Sequence, residues 1–204
     1  MRFLGHQHAA APSNELVTTR LTSLSGLEAQ ARSGNGAAFG ELIRLWDDDL
    51  RGVVWSIVRS ASDTDDVMQA AYEKAFRSLA SYRQQSSMKT WLTSICVRAA
   101  IDHSRYERRR SHDGADSLVA VASGSSTSRD AITKAELAAV LGALDPETRG
   151  LLMLTVGLGY SFDEAAEITD LPRGTVASRV ARAKKAIRST GPHATDAHGE
   201  DTTP

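Results

Sequence analysis

The chain has 204 residues, 41% of them apolar and 24% charged, with a formal net charge of −1. That length accommodates one domain or two small ones, each with a buried core. The near-neutral balance gives no bulk electrostatic reason to expect a nucleic-acid partner. A single cysteine, Cys96, excludes an intrachain disulfide and reads as a small apolar filler inside a helix. The start of the chain lacks the apolar run of a secretory leader. The longest apolar stretch, Leu151 to Val156, is far short of the roughly 20 residues a membrane span needs. The expectation is a cytoplasmic protein with no membrane insertion.

In chain order, residues 1–22 are polar and aperiodic and are expected to form a loose tail. A helical pattern then runs from Phe39 through Leu42, Ile43, Trp46, Leu50, Val53, Val54 and Ile57 to Val58. Ser62 or Asp63 is expected to cap the next helix, Asp65 to Leu79, whose apolar stripe is Met68, Tyr72, Ala75, Phe76 and Leu79. A polar loop, Tyr82 to Ser87, precedes a third helix from about Met88 to Arg109. Its stripe is Trp91, Leu92, Ile95, Ala99 and Tyr106. Trp91 is expected to serve the core.

Periodicity stops over 111–129, where Ser and Gly dominate as in a flexible linker. A second module spans 130–190. It opens with a helix through Leu137, Val140, Leu141 and Leu144. Asp145 then caps a helix with Pro146 at its first position; that helix ends by Gly157 or Gly159. Ser161 caps a short helix to Ile168, and Pro172 opens a last one. Residues 191–204 are polar again and read as a second tail. No strand pattern of convincing length is present. The fold class is therefore all-α, two small helical domains on either side of a linker.

Charge is unevenly placed. Acids gather at Asp47 to Asp49, expected to be merely solvated, and at Asp63 to Asp66. Bases gather at Arg105 to Arg110 and Arg173 to Arg188. In the last helix Val176, Val180, Ala183 and Ile187 share one face, at the i, i+4, i+7, i+11 spacing of a core stripe. Thr175, Ser178, Arg179, Arg182 and Lys185 fall outside it, and the stretch contains no acid. A helix that is apolar inside and basic outside, with short hydrogen-bonding side chains, suits the DNA major groove. The preceding residues have the rhythm of a helix-turn-helix. Small Ala165 and Ala166 allow close approach, Leu171 plugs the turn, and Asp170 tolerates a left-handed backbone where glycine is common.

Three stretches together resemble the extracytoplasmic-function (ECF) type of bacterial RNA polymerase sigma factors, within the sigma-70 family. Asp63-Thr64-Asp65-Asp66-Val67-Met68-Gln69-Ala70-Ala71-Tyr72-Glu73 looks like the family's core-polymerase-binding helix. Tyr82 to Thr90, then Trp91 to His103 and the basic run Arg105 to Arg110, is similar to its −10 recognition and melting region. Leu144-Asp145-Pro146-Glu147-Thr148-Arg149 through Arg173 to Ala183 is similar to its −35-reading module. The resemblance covers roughly residues 24–190. It implies region 2 over 23–110, region 4 over 130–190, and a promoter-specificity subunit that works without cofactor or metal.

The partners it implies are core RNA polymerase, promoter DNA and an anti-sigma factor. Polymerase contact falls to Asp65, Asp66, Met68, Gln69 and Glu73. Duplex −35 DNA falls to Arg173, Thr175, Ser178, Arg179 and Arg182, with Lys184 and Lys185 on phosphates. At the opened −10 strand, Tyr82 stands where the family places an aromatic near the flipped base, with Gln84, Gln85, Ser86 and Lys89 as its pocket. Arg98 and Asp102 lie beside that strand, one helical turn apart, and Arg105 and Arg109 follow its backbone. The family usually carries Asn where this chain has Arg98. Arginine only donates, whereas Asn also accepts, which leaves the −10 sequence preference open.

The alternative is a helix-turn-helix regulator that binds an operator unaided, with the N-terminal half as a dimerisation or sensing domain. An enzyme finds no support. No Cys/His set has metal-ligand spacing and no nucleophile sits beside a base.

Overall fold

The structure, a computed structural model, describes residues 13–112 and 137–190, with side chains from 23 to 110 and from 137 to 189. Every regular element among these residues is helical. The greater part of the expected linker and the C-terminal tail from 191 lie outside them, as do residues 1–12. Residues 13–22 depart from the loose-tail expectation, because they form the first half of α1 (Ser13–Arg32). Their polar, aperiodic sequence hid that helix.

α2 (Gly36–Val58) begins where the Asn35 side chain accepts hydrogen bonds from the Ala37 and Ala38 amides. It ends at Arg59, whose left-handed backbone (φ 64°) stops the helix. α3 (Ala61–Ser78) is capped by Ser60, ahead of the Ser62 or Asp63 expected. A 3₁₀ turn, Leu79–Ser81, leads to the Tyr82 loop, and α4 (Met88–His112) follows. Leu42, Leu50, Val53, Val54 and Ile57 of α2 are fully buried with Met68 and Ala71 of α3 and Leu92, Cys96 and Val97 of α4. Each buried Leu or Ile contributes about 1.5–3 kcal/mol. Two expected core residues are exposed instead. Phe76 is 45% exposed and tilts onto Phe39, ring centroids 5.5 Å apart. Tyr106 is 53% exposed beneath the Arg110 guanidinium. Phe76 falls to one side of the buried Met68, Ala71, Ala75 and Leu79 stripe, and Tyr106 lies past Ile101, the last buried residue of α4.

The second module starts with α5 (137–143). α6 (Pro146–Leu152) is capped by Asp145, which accepts from the Thr148 amide at 3.0 Å. It then widens into one π-helical turn, Met153–Gly157, where the Leu158 amide donates five residues back to the Met153 carbonyl. Ser161 and Glu164 close a reciprocal capping box on α7 (Phe162–Thr169). Asp170 takes the left-handed conformation (φ 59°), Leu171 is half-buried under the turn, and α8 (Arg173–Thr190) follows. Ala165, Ile168, Val176, Val180 and Ala183 are buried, as the stripe predicts.

The two modules dock on each other. α6 lies along α2, and α7 lies against α4. Gly150 makes the first contact possible: a Cβ there would sit 2.9 Å from the Ile57 side chain. A Cβ on Gly52 would come within 3.1 Å of the Met153 methyl. Thr93 of α4 and Tyr160, just before α7, share a hydroxyl hydrogen bond of 3.1 Å.

Candidate nucleic-acid interface

Burying Val176, Val180 and Ala183 turns the opposite side of α8 to solvent. Arg173, Ser178, Arg182, Lys184 and Lys185 are exposed there, and Thr175 is half-buried. Arg173 reaches Asp163 at 2.9 Å, and Arg182 donates to the Ser178 carbonyl one turn back. Arg179 differs from its neighbours. It leans off the face toward α6, where it pairs with Glu147 at 2.6 Å and lies 3.8 Å from Asp145.

The Tyr82 loop is pre-shaped. The Tyr82 hydroxyl donates to the Ser86 carbonyl at 2.6 Å, closing a small ring of chain with Gln84 in the left-handed region. The Tyr82 ring lies against Trp91, centroids 5.1 Å apart. Burial, with Glu28 nearby, pushes its phenol above the ordinary range, so it remains a neutral donor. Gln84 and Gln85 are exposed and Ser86 half-buried. Lys89 is turned away from this group, its ammonium 2.6 Å from Asp49.

That pair corrects the reading of the Asp47–Asp49 run as solvated. Asp47 also accepts from the half-buried Tyr72 hydroxyl at 2.8 Å and from Arg51 at 3.3 Å. Two of the three aspartates tie α2 to its neighbours.

On α3, Asp65, Asp66, Gln69 and Glu73 are exposed on one continuous face. Arg51 bonds Asp65, Gln69 lies 3.4 Å from Glu73, and Glu73 pairs with Arg77. Met68 does not belong with them. It is 2% exposed, among the largest side chains of the core, and it cannot offer an edge to a partner. Position 68 is on the opposite side of the helix from 66, 69 and 73, toward Ala71 and Ala75.

Along α4, Asp102, Arg105 and Arg109 are exposed. Arg98 and Arg105 both reach into the second module. Arg98 donates to the Glu167 and Ile168 carbonyls, at 2.9 and 3.3 Å, capping the C-terminal end of α7. Arg105 bonds the Glu147 carboxylate, the same group that holds Arg179. Between these side chains lies a polar cavity of about 250 Å³, lined by Arg98, Asp102, Arg105, Glu147 and Asp170.

The sequence did not single out Glu147 or Arg149 as contacts. Burial opposes ionisation of Glu147, but hydrogen bonds from Arg179 and Arg105 hold its carboxyl below the usual range. Asp145 is held low against the same burial cost, by its bonds from Thr148 and the charge of Arg179. Arg149 returns the contact made by Arg98, donating to the Ser56 and Ile57 carbonyls at 2.7 and 3.1 Å and to Leu144. Burial lowers its basicity. The available signal was a lone arginine among Gly150, Leu151 and Leu152 on a short helix, which needs buried acceptors.

No helix among the described residues is long and apolar enough to cross a membrane, and none of their His, Cys, Asp or Glu side chains group as a metal site.

Comparison with known proteins follows the same division. Residues 42–110 match sigma-70 region 2, and residues 134–187 match sigma-70 region 4. The ECF RNA polymerase sigma factor SigC of Mycobacterium tuberculosis is 32% identical over 88% of this chain and 93% of its own. The RNA polymerase sigma factor CnrH of Cupriavidus metallidurans is 30% identical over 78% of this chain and 88% of its own. The structure of CnrH in complex with the cytosolic domain of CnrY is similar with a TM-score of 0.59, at 28% identity, covering 80% of this chain and 93% of that one. The sigma factor RpoE from Bartonella quintana, solved with the anti-sigma factor NepR, shares the fold with a TM-score of 0.60 at 23% identity, over 74% of this chain and 95% of that one. The chain belongs to the sigma-70 family of RNA polymerase sigma factors, in its ECF branch, and is a promoter-specificity subunit.

Proposed function

We propose the following division of labour for promoter recognition. The exposed face of α8 reads duplex −35 DNA, with Arg173, Thr175, Ser178, Arg179 and Arg182 toward base edges and Lys184 and Lys185 on phosphates. Tyr82 and the loop Gln84 to Ser86 capture an extruded −10 base, while Arg98, Asp102, Arg105 and Arg109 line the strand. Asp65, Asp66, Gln69 and Glu73 meet core polymerase. The observation that carries this reading is the acid-free α8 surface presented by a buried Val176, Val180 and Ala183 stripe.

The Tyr82 ring supports the −10 assignment. It is half-buried against Trp91 and held by its hydroxyl, so little side-chain entropy remains to be lost when a base stacks on it. Lys89 joins that pocket only after it leaves Asp49. The protein performs no chemistry of its own and works in the cytoplasm beside polymerase. An anti-sigma factor is its further partner, in line with CnrH bound by the cytosolic domain of CnrY.

Run-off transcription with purified chain and core polymerase tests the assignment. Arg179→Ala is expected to weaken −35-dependent initiation. Tyr82→Ala is expected to impair opening more than closed-complex binding, with rescue on a pre-melted template. Intact −35 dependence in Arg179→Ala removes the α8 assignment, and failure of the pre-melted template to rescue removes the stacking role.

A further inference from the structure

Among the described residues six large apolar side chains stand exposed, and three of them, Trp55, Leu137 and Val156, border one groove. Single exposed apolar residues need no explanation, whereas a contiguous patch of them marks a place where something binds. The groove is formed by α2, α5, α6, the wide turn and α8, and Leu141, Leu152 and Met153 continue its apolar lining. Its volume of about 660 Å³ falls among small-molecule sites, which span about 300–1,000 Å³.

The charges of the groove are of one sign. Arg59, Arg149, Lys184 and Arg188 line it and no acid does. Arg149 is engaged with the Ser56, Ile57 and Leu144 carbonyls. Arg59, Lys184 and Arg188 make no ion pair among the described residues. Burial and the charge of Arg59 lower the basicity of Arg149, so an entering anion meets an excess of positive charge. The apolar wall can also adapt. Met153 lies between two glycines: a Cβ on Gly52 would come within 3.1 Å of its methyl, and one on Gly157 within 2.7 Å of its sulfur. An unbranched thioether reshapes at low cost, and the π-helical turn that Met153 opens is a form frequent at functional sites.

We propose that this groove binds a free fatty acid, its straight chain laid against Trp55, Leu152, Met153 and Val156 and its carboxylate held by Arg59 and Arg188. The adaptable Met153 suits a flexible chain better than a rigid ring, and the cations repel an amphiphile with a positive head. Lys184 also lines the groove but is assigned above to a promoter phosphate, so the variants below leave it in place.

Isothermal titration calorimetry of the full chain with monomeric sodium dodecanoate tests the site, and one molecule is expected to bind per chain. From octanoate to dodecanoate, each methylene is expected to tighten binding by up to about fourfold. Dodecyltrimethylammonium, the same chain under a cationic head, is expected not to bind. Arg59→Gly removes one cation and suits the left-handed backbone there, and Arg188→Gln removes the other. Each is expected to weaken dodecanoate by about two- to fivefold. Trp55→Ala is expected to weaken it about tenfold, with circular dichroism showing that the helices are kept. Absence of saturable dodecanoate binding would overturn the proposal, as would equal affinity for the cationic amphiphile. Unchanged affinity in Trp55→Ala, or in both arginine variants, would do the same. A dimer in light scattering that Trp55→Ala dissociates and dodecanoate does not would give the groove to a second copy. Capture by phosphatidylglycerol vesicles without binding of monomeric dodecanoate would give it to a membrane surface. Either result overturns the fatty-acid assignment.

Discussion

Arg98 and Arg149 perform the same act in opposite directions. Each leaves its own module to cap the C-terminal carbonyls of a helix in the other, Arg98 on α7 and Arg149 on α2. Cations are favoured at helix C-termini, where the last carbonyls lack intrahelical donors and the dipole is negative. The two are unequal, however. Arg149 is half-buried with three carbonyl partners, whereas Arg98 stays exposed with two.

Arg149→Ala is therefore expected to cost about 2 kcal/mol, the scale of charged hydrogen bonds lost with their buried acceptors left unpaired. Arg98→Ala is expected to cost less than half of that. Urea denaturation of the two variants beside the parent checks the order, and equal losses would contradict it.

Asp170 holds a left-handed backbone between α7 and α8. Asp170→Gly is expected to be neutral or stabilising, and Asp170→Ala to cost about 1 kcal/mol. The same pair of changes at Arg59, which ends α2 at φ 64°, is expected to follow the same sign. Thermal unfolding reads both, at about 2–4 °C per kcal/mol for a chain of this size.

Acid is expected to loosen the contact between modules. The Glu147 and Asp145 carboxyls are held below their ordinary values in the folded chain. Their contribution is thus complete above the ordinary carboxylate range and is lost as pH falls through the lowered folded values. Scattering across an acid titration should show expansion once Glu147 protonates, since its bond to Arg105 crosses between the modules whereas the partners of Asp145, Thr148 and Arg179, lie in its own. Glu147→Gln should blunt the response, and an unchanged profile would argue against this linkage.

Cys96 is fully buried between α2, α3 and α4, and burial pushes its thiol up to about 12. A thiol reagent at pH 8 is expected to react only as fast as the domain opens, with stoichiometric labelling in denaturant. Rapid labelling of the folded chain would show that this core is looser than its packing implies.

What was legible in the sequence follows from what periodicity encodes. The α8 stripe of Val176, Val180 and Ala183, the Asp145 and Ser161 caps and the left-handed Asp170 are local patterns, and each is found in place. Met68 and Phe76 share an apolar identity, so their exchange of roles was invisible until α2 and α4 defined the covered side of α3. The site was legible as charge and not as pairing. Asp47, Asp49, Glu147 and Arg149 find partners 25 to 93 positions away, a distance over which spacing carries no information. The first half of α1 was missed because its short Val17, Leu21 and Leu24 spacing, after Pro12, is diluted by threonines and serines that read as loop.

The wide turn at Met153–Gly157 carries one residue more than an α-helical turn would. Removing a single position there, such as Thr155 or Val156, lets the ladder rewind to ordinary pitch while α7 and α8 keep their direction, because the wide turn absorbs its extra residue within itself. A deletion in the regular part of α6 has no such outlet and would turn all that follows by about 100° around its axis, out of reach of Arg98. The wide turn is thus a place where the chain can change length without re-aiming the helix-turn-helix.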